Sequence, residues 1–287
     1  MAALAPLIIS LRQLHHYDEL QTTHALADWI EARVDEGLTW FCLAPTYGDG
    51  EHQARFGQAL FSRPGLSSRV NVMVKAGIVP AHLDTSGRHV KHYDTGSNTL
   101  AHVIDHQLEM LNLERIELFH LHRPDPLMDH ATVGHVLDEG IASGKLGHIG
   151  VSHFLPAQWR RLQTAMSAPL RCGELELSIP RSEALFDGLW DAMCVDNIMP
   201  LACSPLCGGR LFESLLGSLL AERAQDYGVS AASLAMAWLN TLPHAPTPVV
   251  GTLKPAHLRT LLDHASLQLD RVTWFELLEA ARAHRVF

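Results

Sequence analysis

Short apolar or β-branched runs alternate with longer amphipathic stretches from one end of this chain to the other, and that alternation restricts the fold more than any other feature. Candidate strands cover 7–10, 39–43, 70–75, 116–120, 148–151, 174–177, 199–203 and 248–250. Helical patterns fill 22–36, 53–61, 99–111, 131–143, 156–165, 184–196, 214–227 with 230–239, and 255–265. Eight strand–helix units of roughly 35 residues match the count and spacing of a (β/α)₈ barrel. The expected fold is α/β, a TIM barrel forming one domain over 1–287, with an extra C-terminal helix at 270–283 packed outside the eight units.

The punctuation agrees. Gly37 and Gly144 follow helical patterns and suit a left-handed C′ position. Pro156 and Pro255 suit the first helical turn, where a missing N–H costs little. The weakest patterns are the loops 76–96, 124–130 and 204–213. Each follows a strand, and in a barrel such loops form the C-terminal face on which chemistry is done.

Composition narrows the partners. The chain has 22 basic and 31 acidic residues, a net charge of −9, and no Lys/Arg cluster, which argues against nucleic acid or an anionic membrane surface. No apolar run is long enough to span a bilayer, and the opening MAALAPLIIS lacks the basic segment of a secretory signal. Five cysteines without a CxxC pair argue for a reducing, cytoplasmic setting. Cys203 and Cys207 have no matching pair elsewhere, so no metal site is expected.

Polar residues at strand ends carry the chemistry. They are Cys42 and Tyr47 after the second strand, Lys75 ending the third, His120 and His122 ending the fourth, and Ser152 and His153 after the fifth. Glu174 and Glu176 lie in the sixth, Cys203 and Ser204 close the seventh, and Gly251 and Thr252 follow the eighth. A phenol near an ammonium has a lowered pKa, and an imidazole can orient a carbonyl against it, so Tyr47, Lys75 and His122 form a candidate acid catalyst. His120 reads as a satisfied barrel histidine, Cys42 as a small buried hydrophobe, and Trp159, Trp190, Trp238 and Trp274 as packing residues. His82, His89 and His92, with Asp84 and Asp94, read as a solvated loop, and Tyr93 as a group that can reach a site mouth.

Further segments carry a resemblance: TYG at 46–48 with RFGQAL at 55–60, VKAG at 74–77, LHRPDPLMD at 121–129, GKLGHIGVSHF at 144–154, CSPLCGGRLF at 203–212, VVGT at 249–252 and WFELLEAA at 274–281. Over nearly its whole length the chain resembles the aldo-keto reductase superfamily, and within it a small branch of bacterial oxidoreductases. The resemblance implies NADPH bound without a Rossmann fold and an Asp, Tyr, Lys, His tetrad, of which Tyr47, Lys75 and His122 match. The tetrad aspartate falls at Cys42, whose thiolate would have to supply the missing charge. Around the implied nicotinamide pocket, His153 replaces an amide beside Ser152, Glu174 replaces a glutamine and Cys203 an aromatic ring. His257 stands where an arginine often binds the 2′-phosphate and lacks its permanent charge. Ser204, Leu206, Gly208, Gly209 and Arg210 retain a loop able to cross a pyrophosphate, and Gly251 and Thr252 also survive.

The function so implied is reduction of a small carbonyl compound with NADPH, Tyr47 donating the proton. So many replacements in one pocket also imply weak or absent cofactor binding. Two alternatives therefore stand beside this reading: a non-redox isomerase, lyase or cyclase on the same barrel, and a catalytically silent binding protein.

Overall fold

The computed structural model describes residues 5–84, 86–262 and 267–282. Eight strands follow one another along the chain: β1 (Ile8–Ser10), β2 (Trp40–Leu43), β3 (Asn71–Ala76), β4 (Ile116–Leu121), β5 (Leu146–Ser152), β6 (Leu170–Glu176), β7 (Met199–Cys203) and β8 (Thr247–Val250). They close into a barrel in the order β1-β8-β7-β6-β5-β4-β3-β2, the (β/α)₈ architecture expected from the alternation. Two compact units are distinguished along the chain, one from Ile8 to Gly173 and one that combines the residues up to Leu7 with those from Glu174 onward.

In the first unit, β1 to β5 alternate with α1 (Thr23–Asp35), α2 (Glu51–Phe61), α3 (Ser97–Leu111) and α4 (His130–Ala142), and α5 (Pro156–Gln163) follows. Thr22 caps α1 by accepting the Ala25 N–H at 3.2 Å, and Asp129 caps α4 by accepting that of Ala131 at 3.1 Å. Gly37 (φ 83°) and Gly144 (φ 77°) end α1 and α4 in the left-handed conformation expected of them. Alternate residues of each strand face opposite ways. Phe41 packs edge-on to Trp29 of α1 at 6.3 Å and tilted against Phe56 of α2 at 5.4 Å, which leaves Cys42 for the other face. Gly57 of α2 lies so close to the Met110 carbonyl of α3 that no larger residue fits.

The second unit carries β7 and β8, paired in parallel with Cys203 opposite Val249, and α6 (Leu189–Val195), α7 (Leu215–Asp226), α8 (Ala231–Asn240), α9 (Pro255–Leu262) and α10 (Arg271–Arg282). Trp238 of α8 and Trp274 of α10 stack 4.6 Å apart, and each indole N–H donates to the other's main-chain carbonyl at 3.0 Å. Both polar edges are thereby satisfied where burial would otherwise make them costly. Arg223 of α7 forks onto Glu276 of α10 at 2.7 and 2.9 Å.

Several boundaries differ from expectation. The helix expected over 184–196 breaks into a short turn, Glu183–Leu185, and α6, with Gly188 at φ 87° between them. The sixth strand begins at Leu170 rather than 174. The loop after β3 contains a small antiparallel hairpin that pairs Ile78 with Tyr93 and Val79 with His92. The expected helix ends at 263–265 and 283 lie outside the described residues. Among the described residues no helix is long and apolar enough to cross a membrane.

Candidate active site

The first unit assembles Cys42, Tyr47, Lys75 and His122 from three successive strand ends. Tyr47 follows β2 and is buried, its Oη 3.8 Å from the Cys42 Sγ. Beyond Tyr47, Gly48 (φ 52°), Asp49 (φ 53°) and Gly50 (φ 93°) are left-handed in succession, which turns the chain sharply into α2. A Cβ at Gly48 would strike the ring of His52, so the bare glycine lets that buried imidazole support the turn directly. His52 also bonds the Leu11 main chain beyond β1; burial, the larger effect, holds its pKa below the ordinary value.

Lys75 is buried near the end of β3, in register with His120 of β4. The main-chain N–H of His122 donates to the Ala76 carbonyl at 2.7 Å, which fixes His122 at the head of β4. Burial first, and then the positive charges of Lys75 and Arg123 with further contributions from His153 and Lys91, push the His122 pKa down to about 3. At neutral pH its imidazole is therefore uncharged, the form that can bond a carbonyl oxygen without adding a second cation.

The hairpin beyond β3 is organised by Asp84, which accepts the Ser86 and Val90 N–H groups at 2.9 and 3.1 Å. These bonds, with the Ser86 hydroxyl, hold its carboxyl at about 2. Thr95 then donates its hydroxyl to Asp125 at 2.8 Å, tying the end of this segment to the loop after His122. His82 lies 3.7 Å from Asp49, and Tyr93 is exposed on the hairpin.

His120 departs from the sequence reading. It is fully buried, yet among the described residues neither ring nitrogen has a hydrogen-bond partner, so it is no satisfied histidine. Lys91, Arg123 and His52 were also missed as neighbours of the site. Arg123 was visible within LHRPDP, and the Gly48–His52 spacing hinted at a close approach, but Lys91 depends on the hairpin.

Ser152 is buried at the end of β5, and His153 follows at φ 58°, an uncommon backbone for a non-glycine residue. In the second unit Glu174 is buried in β6 and Cys203 ends β7. Ser204 (φ 52°), Cys207 (φ 51°), Gly208 (φ 67°) and Gly209 (φ 91°) are all left-handed, with Leu206 among them and Arg210 exposed next to them. Cβ atoms at Gly208 and Gly209 would meet nothing within 4 Å, so the main chain there is open to a close approach. An open glycine turn beside an exposed guanidinium fits a pyrophosphate. After β8 come Gly251 and Thr252, whose Oγ1 lies 3.3 Å from Nδ1 of the exposed His257.

The sequence profile of the aldo/keto reductase family matches residues 11–281. The chain belongs to the aldo/keto reductase family. It is 36% identical over 256 residues to a 6-dehydroglucose reductase of Agrobacterium fabrum, covering 88% of this chain and 86% of that one. It is 32% identical over 266 residues to the oxidoreductase YdhF of Escherichia coli, covering 91% and 89% of the two chains. An aldo/keto reductase from Klebsiella pneumoniae, solved with NADP and acetate, shares the fold at a TM-score of 0.77 and 18% identity, covering 95% of this chain and 89% of that one. The chain is thus an oxidoreductase of the aldo/keto reductase type, on a barrel whose relatives include nicotinamide-binding enzymes.

Proposed function

We propose that this aldo/keto reductase reduces the carbonyl group of a small, sugar-derived aldehyde or ketone with NADPH. The observation that carries the reading is Tyr47 Oη at the head of β2, buried 3.8 Å from Cys42, with Lys75 and a neutral His122 at the next two strand ends. NADPH, when bound, supplies a hydride to the carbonyl carbon. Tyr47 Oη gives its proton to the carbonyl oxygen, so the product is the alcohol. The Lys75 ammonium favours the phenolate that remains, and His122 donates a hydrogen bond that orients the carbonyl. Ser152 and His153 would bind the nicotinamide end. Ser204, Leu206, Gly208, Gly209 and Arg210 would line the pyrophosphate, and Gly251, Thr252 and His257 the adenosine end.

The sugar-derived substrate class is suggested by the 6-dehydroglucose reductase named among the relatives. Both relatives being oxidoreductases, the isomerase, lyase or cyclase alternative is not favoured. A cytoplasmic setting and a single domain over 1–287 belong to the same proposal; none of the five cysteines is in a disulfide, and one cooperative unfolding transition is expected. The deciding experiment mixes the purified protein with NADPH and 6-dehydroglucose and follows cofactor oxidation. Turnover with one alcohol formed per NADPH consumed is expected. No turnover, together with no fluorescence change on titration with NADPH to millimolar concentration, would refute the reading.

A further inference from the structure

We propose that His120 is a positioning residue for Lys75, a second imidazole one layer below His122 that keeps the lysine amine protonated for its work on Tyr47. The proposal rests on the reading of Tyr47 and Lys75 as the reductase pair. Its basis is geometric. His120 lies on β4 in register with Lys75 of β3 on one side and with Gly150 of β5 on the other. A Cβ at Gly150 would collide with the His120 ring, and the Cys172 carbonyl borders the same gap, so the neighbouring strand gives up its side chain to admit the imidazole. Two strands are thus adapted to place one ring beside the lysine.

That ring is expensive to keep. It is fully buried with neither nitrogen hydrogen-bonded among the described residues, whereas Leu118, two residues earlier on the same strand, meets the same burial with no polar group. A buried polar group without a partner lowers stability, and its retention calls for an explanation in function. The titratable groups that bear on it are Lys75 from β3 and His122 from its own strand; β5 contributes only Gly150. Burial, followed by the charge of Lys75 and then His122, holds His120 in its neutral form. A neutral imidazole presents one lone pair, and no hydrogen bond commits it elsewhere. Its dipole can favour the ammonium without neutralising it, a partial substitute for the carboxylate that Cys42 replaces.

The test compares wild type, His120→Leu and His120→Gln, each with and without Tyr47→Phe. Ionisation of Tyr47 is read as the tyrosinate absorbance that each protein shows in excess of its own Tyr47→Phe counterpart. Thermal unfolding is recorded for all, and kcat and KM are measured with NADPH and 6-dehydroglucose. His120→Leu should unfold at a higher temperature than wild type, because an unpartnered polar group is gone. Its Tyr47 should ionise about one pH unit higher, and kcat should fall about tenfold with KM unchanged. His120→Gln, which keeps an acceptor of similar size, should return both the titration and kcat close to wild type. A Tyr47 titration unchanged in the leucine variant, a glutamine variant as impaired as the leucine one, or a leucine variant that fails to fold would each overturn the proposal. Wild-type turnover by Tyr47→Phe would instead refute the reductase reading, while the Tyr47 titration would still report on His120.

Discussion

Two neighbouring rows of the same strands carry opposite chemistry. Leu43, Val74, Phe119 and Ile149 stand in register across β2 to β5, and all four are apolar and fully buried. One residue further along, the row reads Lys75, His120 and Gly150, with an amine, an unpartnered imidazole and no side chain at all. The first row faces the helices and stabilises the barrel in proportion to the apolar area it removes from water. The second faces the interior and weakens the barrel, since buried ionisable groups are expensive to desolvate. Side chains one residue apart point to opposite faces, so the barrel keeps stability and chemistry in separate layers on a single set of strands.

Substitutions in the two rows should therefore separate rate from stability. Lys75→Met should lower kcat about 10²–10⁴-fold, the range for a group that serves acid catalysis, without lowering the unfolding temperature; steady-state rates and calorimetry check the two halves. Phe119→Ala should do the reverse, costing about 3–5 kcal/mol in denaturant unfolding while the surviving folded enzyme keeps its KM. If both variants lost rate and stability together, the separation into layers would be wrong.

The buried histidines give a gentler effect with a definite sign. His52, His120 and His122 titrate below their ordinary 6.5 in the folded protein, His122 at about 3. Between those values and 6.5 the unfolded chain binds protons that the folded chain excludes, so stability rises with pH in that window. Acidification from pH 6.5 to pH 5 should lower it by up to about 1.4 kcal/mol per pH unit for each such histidine, and denaturant midpoints across that range measure the slope. A flat profile would mean that these rings bind protons in the fold as they do in the unfolded chain. The smallest effect is expected from Cys42→Ala. A thiol 3.8 Å from the phenol makes a weak contact, so kcat should change by less than about threefold. A larger loss would promote Cys42 from filler to electrostatic partner.

Most of the scaffold was legible because its signals are local. Glycines 37 and 144 needed only a helical pattern ahead of them, and Pro156 only its place at a helix start. Tyr47, Lys75 and His122 were legible as strand-end residues, and their motifs agreed. The hairpin of Ile78–Val79 with His92–Tyr93 was not, since two-residue strands are too short to show a period. The sixth strand was placed late because the alternation of Glu174-Leu175-Glu176-Leu177 is out of phase with Leu170 and Cys172, the two being separated by Gly173. The break at Gly188 was hidden by apolar residues spaced as in one continuous helix. His120 shows why polarity alone misleads. Whether a buried histidine is satisfied depends on what faces it, and here that includes a glycine on another strand.

The proton on Tyr47 is the centre of the mechanism, and its removal tests it most directly. Tyr47→Phe should bind NADPH as tightly as wild type in a fluorescence titration, yet reduce 6-dehydroglucose at least about 10²-fold more slowly. Turnover within a few-fold of wild type, with the cofactor still bound, would show that some other group delivers the proton.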